Sequence, residues 1–320
     1  MTPTDGGFDA TVETVAWQGS LGIAPGDTCV WVHARDAVGN WGPYTSQCFV
    51  VIFAGPDNVP PAATAPDAVV LTGGQNLSIG WPAALDDGEY GGTTEYRVLR
   101  STAPRGSFTD VSGSIPADGS GRYTFLDPGR GADASDYFYR IESIDGANNI
   151  ALSTSLAAKV RIAFAGGLNL LGMPLHLTNP GVLDLFAGRP WVDAWTYDAC
   201  STGFGWASSL RIEVQGFSVA SGRGFWVNGT ASDFVTALGV VGETNRVRLC
   251  AGWNLIAVPG FAAGVTVQDL IAATQAIHVS GFDAAGPYHV RELNGADVLL
   301  AGRGYWVYVP EDVDWTVAGW

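Results

Sequence analysis

The stretch Gly252–Pro259, GWNLIAVP, repeats an earlier one with changes, Gly167–Pro174, GLNLLGMP. A second pair follows in the same order, because Gly222–Val227, GRGFWV, recurs as Gly302–Val307, GRGYWV. Two landmarks in the same order indicate two copies of one module. Tandem copies of a small module usually extend a surface or a stalk, whereas a catalytic site is seldom needed twice. The repeat therefore predicts a scaffold or binding protein and leaves its ligand open.

Composition indicates the fold class. The chain has 320 residues with 43 Gly, 17 Pro and 12 Trp, and only 15% of the residues are charged. Frequent turn formers and abundant aromatic area are typical of an all-β protein, and the length allows about two to four domains. No apolar run is long enough to span a membrane, and Met1–Gly7 lack the basic and apolar parts of a secretion signal. We expect no membrane insertion, and an export signal that was removed or lies upstream.

The charge balance is strongly acidic. The formal net charge is −15, and Lys159 is the only lysine. Binding a phosphate backbone requires a basic stripe, so nucleic acid is not an expected partner. An acidic surface is typical of a protein that stays soluble in a salty or extracellular medium.

The cysteines suggest a redox compartment. None of them forms the Cys-x-x-Cys pair that is typical of zinc and redox sites. Cys29 and Cys48 belong to two apolar runs that we expect to form neighbouring strands. Cys200 lies in the first repeat and Cys250 opens the second, so a bridge between them would join the copies. Disulfides would place the chain in an oxidising, extracellular compartment, and free buried thiols are the alternative.

Residues 62–162 contain several alternating segments separated by turns. Trp81 lies in an early predicted strand, Tyr96–Arg100 form a middle one, and Tyr137–Ile141 form a late one. These features resemble a fibronectin type III domain. The resemblance implies a β-sandwich in which Trp81 lies across the core from the alternate side chains of the late strand.

Residues 1–55 contain only about three candidate strands, fewer than a complete sandwich needs. The stretch Val32–Pro43 resembles the later part of an immunoglobulin-like domain. The resemblance implies that the first strands are missing, either because the chain is a fragment or because a partner strand completes the sheet. The composition of the segment Ala54–Pro61 indicates a linker.

The repeats at 163–240 and 246–320 resemble a module that is common at the C-terminal ends of secreted and surface proteins. Its pattern is a Gly-Trp-Asn-Leu-Ile strand followed by a Gly-Lys-Gly-Tyr-Trp-Val strand. Arg223 and Arg303 stand where that pattern has lysine. The resemblance implies mainly-β units with one short helix each and a role in surface display. The helical candidates are Val182–Phe186 and Val267–Ile271.

The sequence does not predict an enzyme. It contains no His-Glu-x-x-His or Gly-x-Ser-x-Gly motif and no glycine loop opening a helix. His278 and His289 could approach Asp283 across a hairpin to bind a metal, but surface histidines on strands are the simpler interpretation. The turn Asp86–Glu89 could bind Ca²⁺, although it lacks a spaced ligand pattern. We expect no metal and no cofactor, with Ca²⁺ as the weaker alternative.

Aromatic side chains are the best binding candidates. They crowd between Trp191 and Trp206 in the first repeat. In a small module a tryptophan more often fills the core or a module interface than binds a ligand, and we assign Trp226 and Trp306, which have apolar neighbours, to that group. We expect Trp195 and Trp206, which have no tryptophan counterpart in the second copy, to be exposed. The predicted ligand-binding residues are Trp195, Tyr197 and Trp206.

Together these features predict an extracellular, multi-domain all-β protein with immunoglobulin-like and fibronectin type III sandwiches followed by two mainly-β repeats. The predicted role is structural or adhesive, as a stalk, a surface-assembly subunit or a C-terminal accessory region of a larger secreted protein. Its expected partners are cell-surface proteins, further copies of itself, or polysaccharide. Carbohydrate binding is the first alternative, and it requires that Trp195 and Trp206 be exposed and coplanar. A secreted hydrolase is the second, and it requires that His278 and His289 converge with an acid.

Overall fold

The structure, a computed structural model, describes residues 2–3, 15–16, 26–33, 35, 38–51, 58–85, 92–203, 205–209, 217–284 and 289–320. The chain forms two compact units, Met1–Asp57 and Asn58–Trp320. Within the described residues, no helix has the length and apolar character needed to cross a membrane.

The first unit contains paired strands. They are β1 (Thr2–Pro3), β2 (Val15–Ala16), β3 (Gly26–Val32) and β4 (Thr45–Val51). Strands β3 and β4 form an antiparallel hairpin in which Cys29 lies directly opposite Cys48, and Cys29 is disulfide-bonded. Residues 54–57 of the predicted linker lie outside the described residues, and the incomplete immunoglobulin-like domain at 1–55 stays a prediction.

The second unit begins with a β-sandwich. Its strands are β5 (Ala68–Thr72), β6 (Asn76–Pro82), β7 (Thr93–Ser101), β8 (Thr109–Asp110), β9 (Ile115–Pro116), β10 (Arg122–Asp127), β11 (Tyr137–Asp145), β12 (Ile150–Leu152) and β13 (Ser155–Phe164). One sheet has the order β10-β6-β5, and in the other β13, β11 and β7 are neighbours, with β8 and β9 both pairing with β7. Two antiparallel sheets in this order form a sandwich of the kind shared by immunoglobulin-like and fibronectin type III-like domains, so the β-sandwich fold that the resemblance implied is confirmed.

Aromatic side chains fill the sandwich. Trp81 is fully buried and packs against Tyr96 and Tyr123, with ring centroids 5.9 Å and 6.1 Å away. Tyr139 and Ile141 of β11 are buried in the same cluster. The sequence pattern therefore identified this core correctly, because alternate residues of a strand face the same side.

Strand β13 belongs to two modules at once. It pairs with β11 on one side and, over its whole length from Ser155 to Phe164, with β19 (Asp233–Gly242) of the first repeat on the other. The sandwich sheet therefore continues without a break into the repeat as one eight-stranded sheet.

Each repeat has a four-stranded sheet, a two-strand ladder and one helix. The first repeat adds β14 (Gly167–Gly172), β15 (His176–Leu177), α1 (Val182–Leu185), β16 (Trp191–Tyr197), β17 (Trp206–Ser208) and β18 (Gly224–Gly229). The second has β20 (Thr244–Leu249), β21 (Gly252–Ala257), α2 (Val267–Thr274), β22 (His278–Phe282), β23 (Val290–Glu292), β24 (Gly304–Val309) and β25 (Val313–Ala318). The sheets have matching orders, β14-β18-β16-β17 and β21-β24-β22-β23, and the β13–β19 ladder matches the β20–β25 ladder.

The helices differ in length because only one is well capped. In α2 the Thr266 hydroxyl accepts from the Asp269 N–H while the Asp269 carboxylate accepts from the Thr266 N–H, which is a complete capping box. Helix α1 has no side-chain cap and makes one turn. The helices predicted at 182 and 267 are thus present, and the second runs beyond its predicted end.

Candidate functional site

The two repeats contact each other reciprocally. Leu171 forms a β-bridge with Arg303, and Ile256 forms one with Arg223. Leu171 and Ile256 occupy the same place in the two copies, and so do Arg223 and Arg303. A two-fold axis produces such reciprocal contacts, in which a position of the first copy contacts a second position in the other copy and the same pair is repeated with the copies exchanged. The repeats are therefore related by an approximate two-fold axis.

Backbone hydrogen bonds follow the same reciprocity. The Gly172 N–H donates to the Gly302 carbonyl at 3.1 Å, and the equivalent Ala257 N–H donates to the Gly222 carbonyl at 2.9 Å. These bonds fix the register between the copies.

Glycines make this close approach sterically feasible. A Cβ atom on Gly224 would lie 2.8 Å from the Ile256 carbonyl oxygen, and one on Gly304 would lie 2.6 Å from the Leu171 oxygen. Both distances are shorter than atoms tolerate without moving the backbone. The repeated Gly-Arg-Gly motif is therefore explained by docking of the copies.

The repeated asparagine closes a turn. The Asn254 side chain accepts from the Cys250 N–H and donates to the carbonyls of Cys250 and Gly252. Asn169 makes the same three bonds to Ala165 and Gly167 in the first copy. Because all three bonds are internal to the turn, this motif residue has a structural role in both copies.

The inter-repeat disulfide predicted from the sequence is present. Cys200 and Cys250 are bonded, with their Cα atoms 5.3 Å apart. Cys200 lies in the loop that follows Tyr197, and Cys250 lies in the turn that precedes Trp253. The bridge therefore holds the β16–β17 hairpin of the first repeat beside the start of β21 in the second.

An aromatic groove of about 450 Å³ lies at this junction. Trp206 of the first repeat is 5.8 Å from Trp306 of the second, and Trp306 is 6.4 Å from Trp253, measured between ring centroids. Trp206 and Trp253 keep 38% and 43% of their surface exposed. Ser280 and Val290 complete the lining together with Tyr197. Three tryptophans thus form a row that crosses from one repeat to the other.

The rim of the groove is polar on one side. The Ser280 hydroxyl donates to Glu292 Oε2 at 2.9 Å, and His278 Nδ1 lies 3.2 Å from Glu292 Oε1. The hydrogen bond from Ser280 is the main cause that lowers the pKa of Glu292, and His278 lowers it further. Glu292 is therefore an ionised acceptor next to the aromatic row.

The structure brings together two of the three predicted binding residues. Tyr197 and Trp206 line the groove with ring centroids 5.2 Å apart and planes tilted by 51°. Trp195 is half-buried and lies beside Trp226 in the β16–β18 ladder, and it is not among the residues that line the groove. As binding residues, Trp195, Tyr197 and Trp206 remain a proposal.

Within the predicted group of core or interface tryptophans, Trp226 and Trp306 lie at the interface between the repeats. Both are only partly buried, whereas their neighbours Phe225 and Val227 in the first copy, like Tyr305 and Val307 in the second, are buried. In a strand of consecutive apolar residues, hydrophobicity does not reveal which face is inside. Sequence reasoning therefore missed Trp306, and it also missed Trp253, whose counterpart in the first copy is Leu168.

Histidines of the second repeat contact different partners. His278 lies beside Glu292, whereas His289 Nδ1 is 3.4 Å from the Asp283 carbonyl oxygen and its ring stacks on Phe282. Among the described residues, no group of three or more His, Cys, Asp or Glu side chains is arranged to hold a metal. The turn Asp86–Glu89 lies outside the described residues.

Comparison with known proteins adds little to these observations. No protein-family model matches the chain, and no curated protein matches it. Among solved structures, the FN1–FN3 domains of chicken CNTN1 align with 81% of this chain and 100% of that chain, at 8% identity and a TM-score of 0.23. The sandwich fold is shown by the strand order described above and not by this alignment.

Proposed function

We propose that the chain is a non-catalytic structural and adhesive part of an extracellular protein. In this role residues 58–320 form a stiff arm, as a stalk, as a subunit of a surface assembly or as an accessory region of a larger secreted protein. We also propose the division of this arm into a sandwich at 62–162 and repeats at 163–240 and 246–320.

Strand β13 carries this proposal. Because it is the last strand of the sandwich and the first of the repeat, no flexible linker separates the two modules. The second repeat is joined to the first by reciprocal backbone bonds and by the Cys200–Cys250 bridge. Modules joined through continuous sheets and covalent bonds transmit force and hold a fixed orientation, as a stalk or display element requires.

The extracellular part of the proposal is tested on the native source. We expect antibodies raised against the folded chain to label unpermeabilised cells or to detect the protein in the medium, and the non-reduced protein to contain the Cys200–Cys250 bridge. A protein found only in the cytosol with free thiols would contradict the proposal.

If the arm is stiff, a substitution that destabilises one module should also destabilise the neighbouring module. Phe225→Ala removes a ring that is 1% exposed from the core of the first repeat, and such truncations cost about 3–5 kcal/mol. We expect hydrogen exchange in β6 of the sandwich to speed up as well, because β13 links the two. The control is Leu183→Ala in α1, because the Leu183 side chain is 44% exposed. Unchanged protection in β6 while the first repeat exchanges freely would show that the modules unfold independently.

A further inference from the structure

The docking contacts of the two copies match, whereas most of the residues that line the groove differ from their counterparts in the other copy. Leu170 packs on Gly304 and Leu255 packs on Gly224, so the docking contacts are alike in both copies. The groove residues are not alike. Trp253 corresponds to Leu168, and Trp206, which lies opposite Tyr197, corresponds to Val290, which lies opposite Phe282. Docking therefore does not require tryptophan at these positions.

At the pseudo-symmetric positions, Val290 and Leu168 replace two of the three tryptophans, and Trp226 is the counterpart of Trp306. The Trp226 ring there contacts Phe282, 4.8 Å away, in the way that Trp306 contacts Tyr197, 5.6 Å away. Trp195 is the counterpart of Ser280. Trp195 lies opposite Trp226 of β18, and Ser280 lies opposite the equivalent Trp306 of β24. The open aromatic surface is thus specific to one side of the interface, and an explanation other than packing is needed for its exposed rings.

The groove has the chemistry of a site for an uncharged polyol. None of its lining residues is a cation, and the ionised Glu292 at the rim accepts hydrogen bonds but repels anions. The whole chain has a formal charge of −15, which disfavours acidic ligands further. Aromatic rings offer apolar faces to the C–H face of a pyranose ring, and a carboxylate accepts from its hydroxyl groups.

Its shape fits an extended ligand. The three tryptophans follow one another at 5.8 Å and 6.4 Å, with ring planes tilted by 56° and 84°, so the open groove is lined by both faces and edges of the rings. A chain of sugar rings can lie along such a row and contact more than one indole ring.

We propose that this groove binds a neutral polysaccharide chain, with Trp206, Trp306 and Trp253 as the aromatic platform and Glu292 as the hydrogen-bond acceptor. The proposal deepens the adhesive role proposed above and rests on it. The Cys200–Cys250 bridge holds the two halves of the platform together, because it joins the segments that carry Trp206 and Trp253.

Affinity electrophoresis of the full chain tests this proposal. Native gels would contain a β-glucan, a xylan or a galactomannan as neutral probes, and alginate as the acidic contrast. We expect at least one neutral polysaccharide to retard the protein and alginate to leave its mobility unchanged. The proposal is overturned if none of the neutral probes retards the protein. It is also overturned if choline chloride abolishes the retardation, because that result would indicate a site for an ammonium group.

Two substitutions taken from the other copy make the test specific. Trp253→Leu and Trp206→Val introduce the side chains that the equivalent positions of a folded copy already hold, and each is expected to weaken binding at least about tenfold. Trp41→Ala is the matched control, since Trp41 is 59% exposed and lies in the first unit. Binding that survives both groove substitutions would place the site elsewhere. Neither the localisation nor the hydrogen-exchange experiment depends on the groove, so a failure here is distinguishable from a failure of the adhesive-arm proposal.

Discussion

Cys200 and Cys250 connect the two repeats across a sequence separation of 50 residues. A cross-link over a loop of this length restricts the unfolded chain and is worth about 4 kcal/mol in the chain-entropy model. We expect the double variant Cys200→Ser/Cys250→Ser to lose about that free energy of unfolding, measured by urea denaturation. A variant as stable as the parent would show that the docked repeats need no covalent link. Near-ultraviolet circular dichroism would show whether the groove tryptophans lose their fixed environment.

Docking of the repeats depends on the missing side chain of Gly304. Gly304→Ala would place a Cβ atom 2.6 Å from the Leu171 carbonyl oxygen. Relieving such a clash requires a backbone shift, and overpacking of this kind costs about 1–3 kcal/mol. Thermal denaturation should show a clear loss of stability. Gly166→Ala is the control, because its nearest neighbour would be 3.6 Å away, an ordinary contact. Equal effects of the two substitutions would remove the steric explanation of the motif.

The buried turn at Asn254 should be equally sensitive. Asn254 is fully buried and its amide makes three hydrogen bonds, so Asn254→Ala leaves the Cys250 N–H and two carbonyls without this partner. Unsatisfied buried groups cost about 1–3 kcal/mol, and we expect the free energy of unfolding to fall by that amount. Asn179→Ala, at an exposed site, should be neutral. Comparable losses at both sites in chemical denaturation would argue against the structural role of the motif.

Asp133 should make the free energy of unfolding depend on pH in the acid range. Burial favours its protonated form, but hydrogen bonds from Tyr137, Lys159 and Arg130 outweigh this and lower its pKa to about 2. Lys159 Nζ, which is buried, lies 3.0 Å from Asp133 Oδ1. Since the pKa in the unfolded chain is near 3.9, protonation favours unfolding. The stabilisation is therefore complete above about pH 4 and is lost as the pH falls towards about 2.

We expect Asp133→Asn to be less stable than the parent by about 2 kcal/mol or more at neutral pH, with a flatter profile below about pH 4. Urea midpoints recorded between neutral and acid pH provide the measurement. Glu311→Gln, at an exposed turn, serves as the control and should keep the slope of the parent. An unchanged acid slope in Asp133→Asn would assign the pH dependence to other groups.

The sandwich was the easiest part to predict. Tyr137, Tyr139 and Ile141 are large apolar side chains in a period of two and share the core with Trp81, whereas Phe138, on the other face of the strand, is buried in the core of the first repeat. The second repeat shows the limit of the same reasoning. In Gly304–Val309 apolar side chains occupy both faces, because one face packs on its own core and the other on the neighbouring repeat. The pattern therefore predicted a strand without its orientation.

The sequence by itself determined that the chain is all-β, that its last half is a duplicated module and which cysteines could join the copies. These conclusions depend on local composition, periodicity and self-similarity. Only the tertiary structure decided that the copies dock about an approximate two-fold axis, that β13 serves two modules, and that Trp206, Trp306 and Trp253 form one row. Those relations join residues far apart in the chain, and they are set by close backbone approach and packing between sheets, for which a single sequence has no periodic signal.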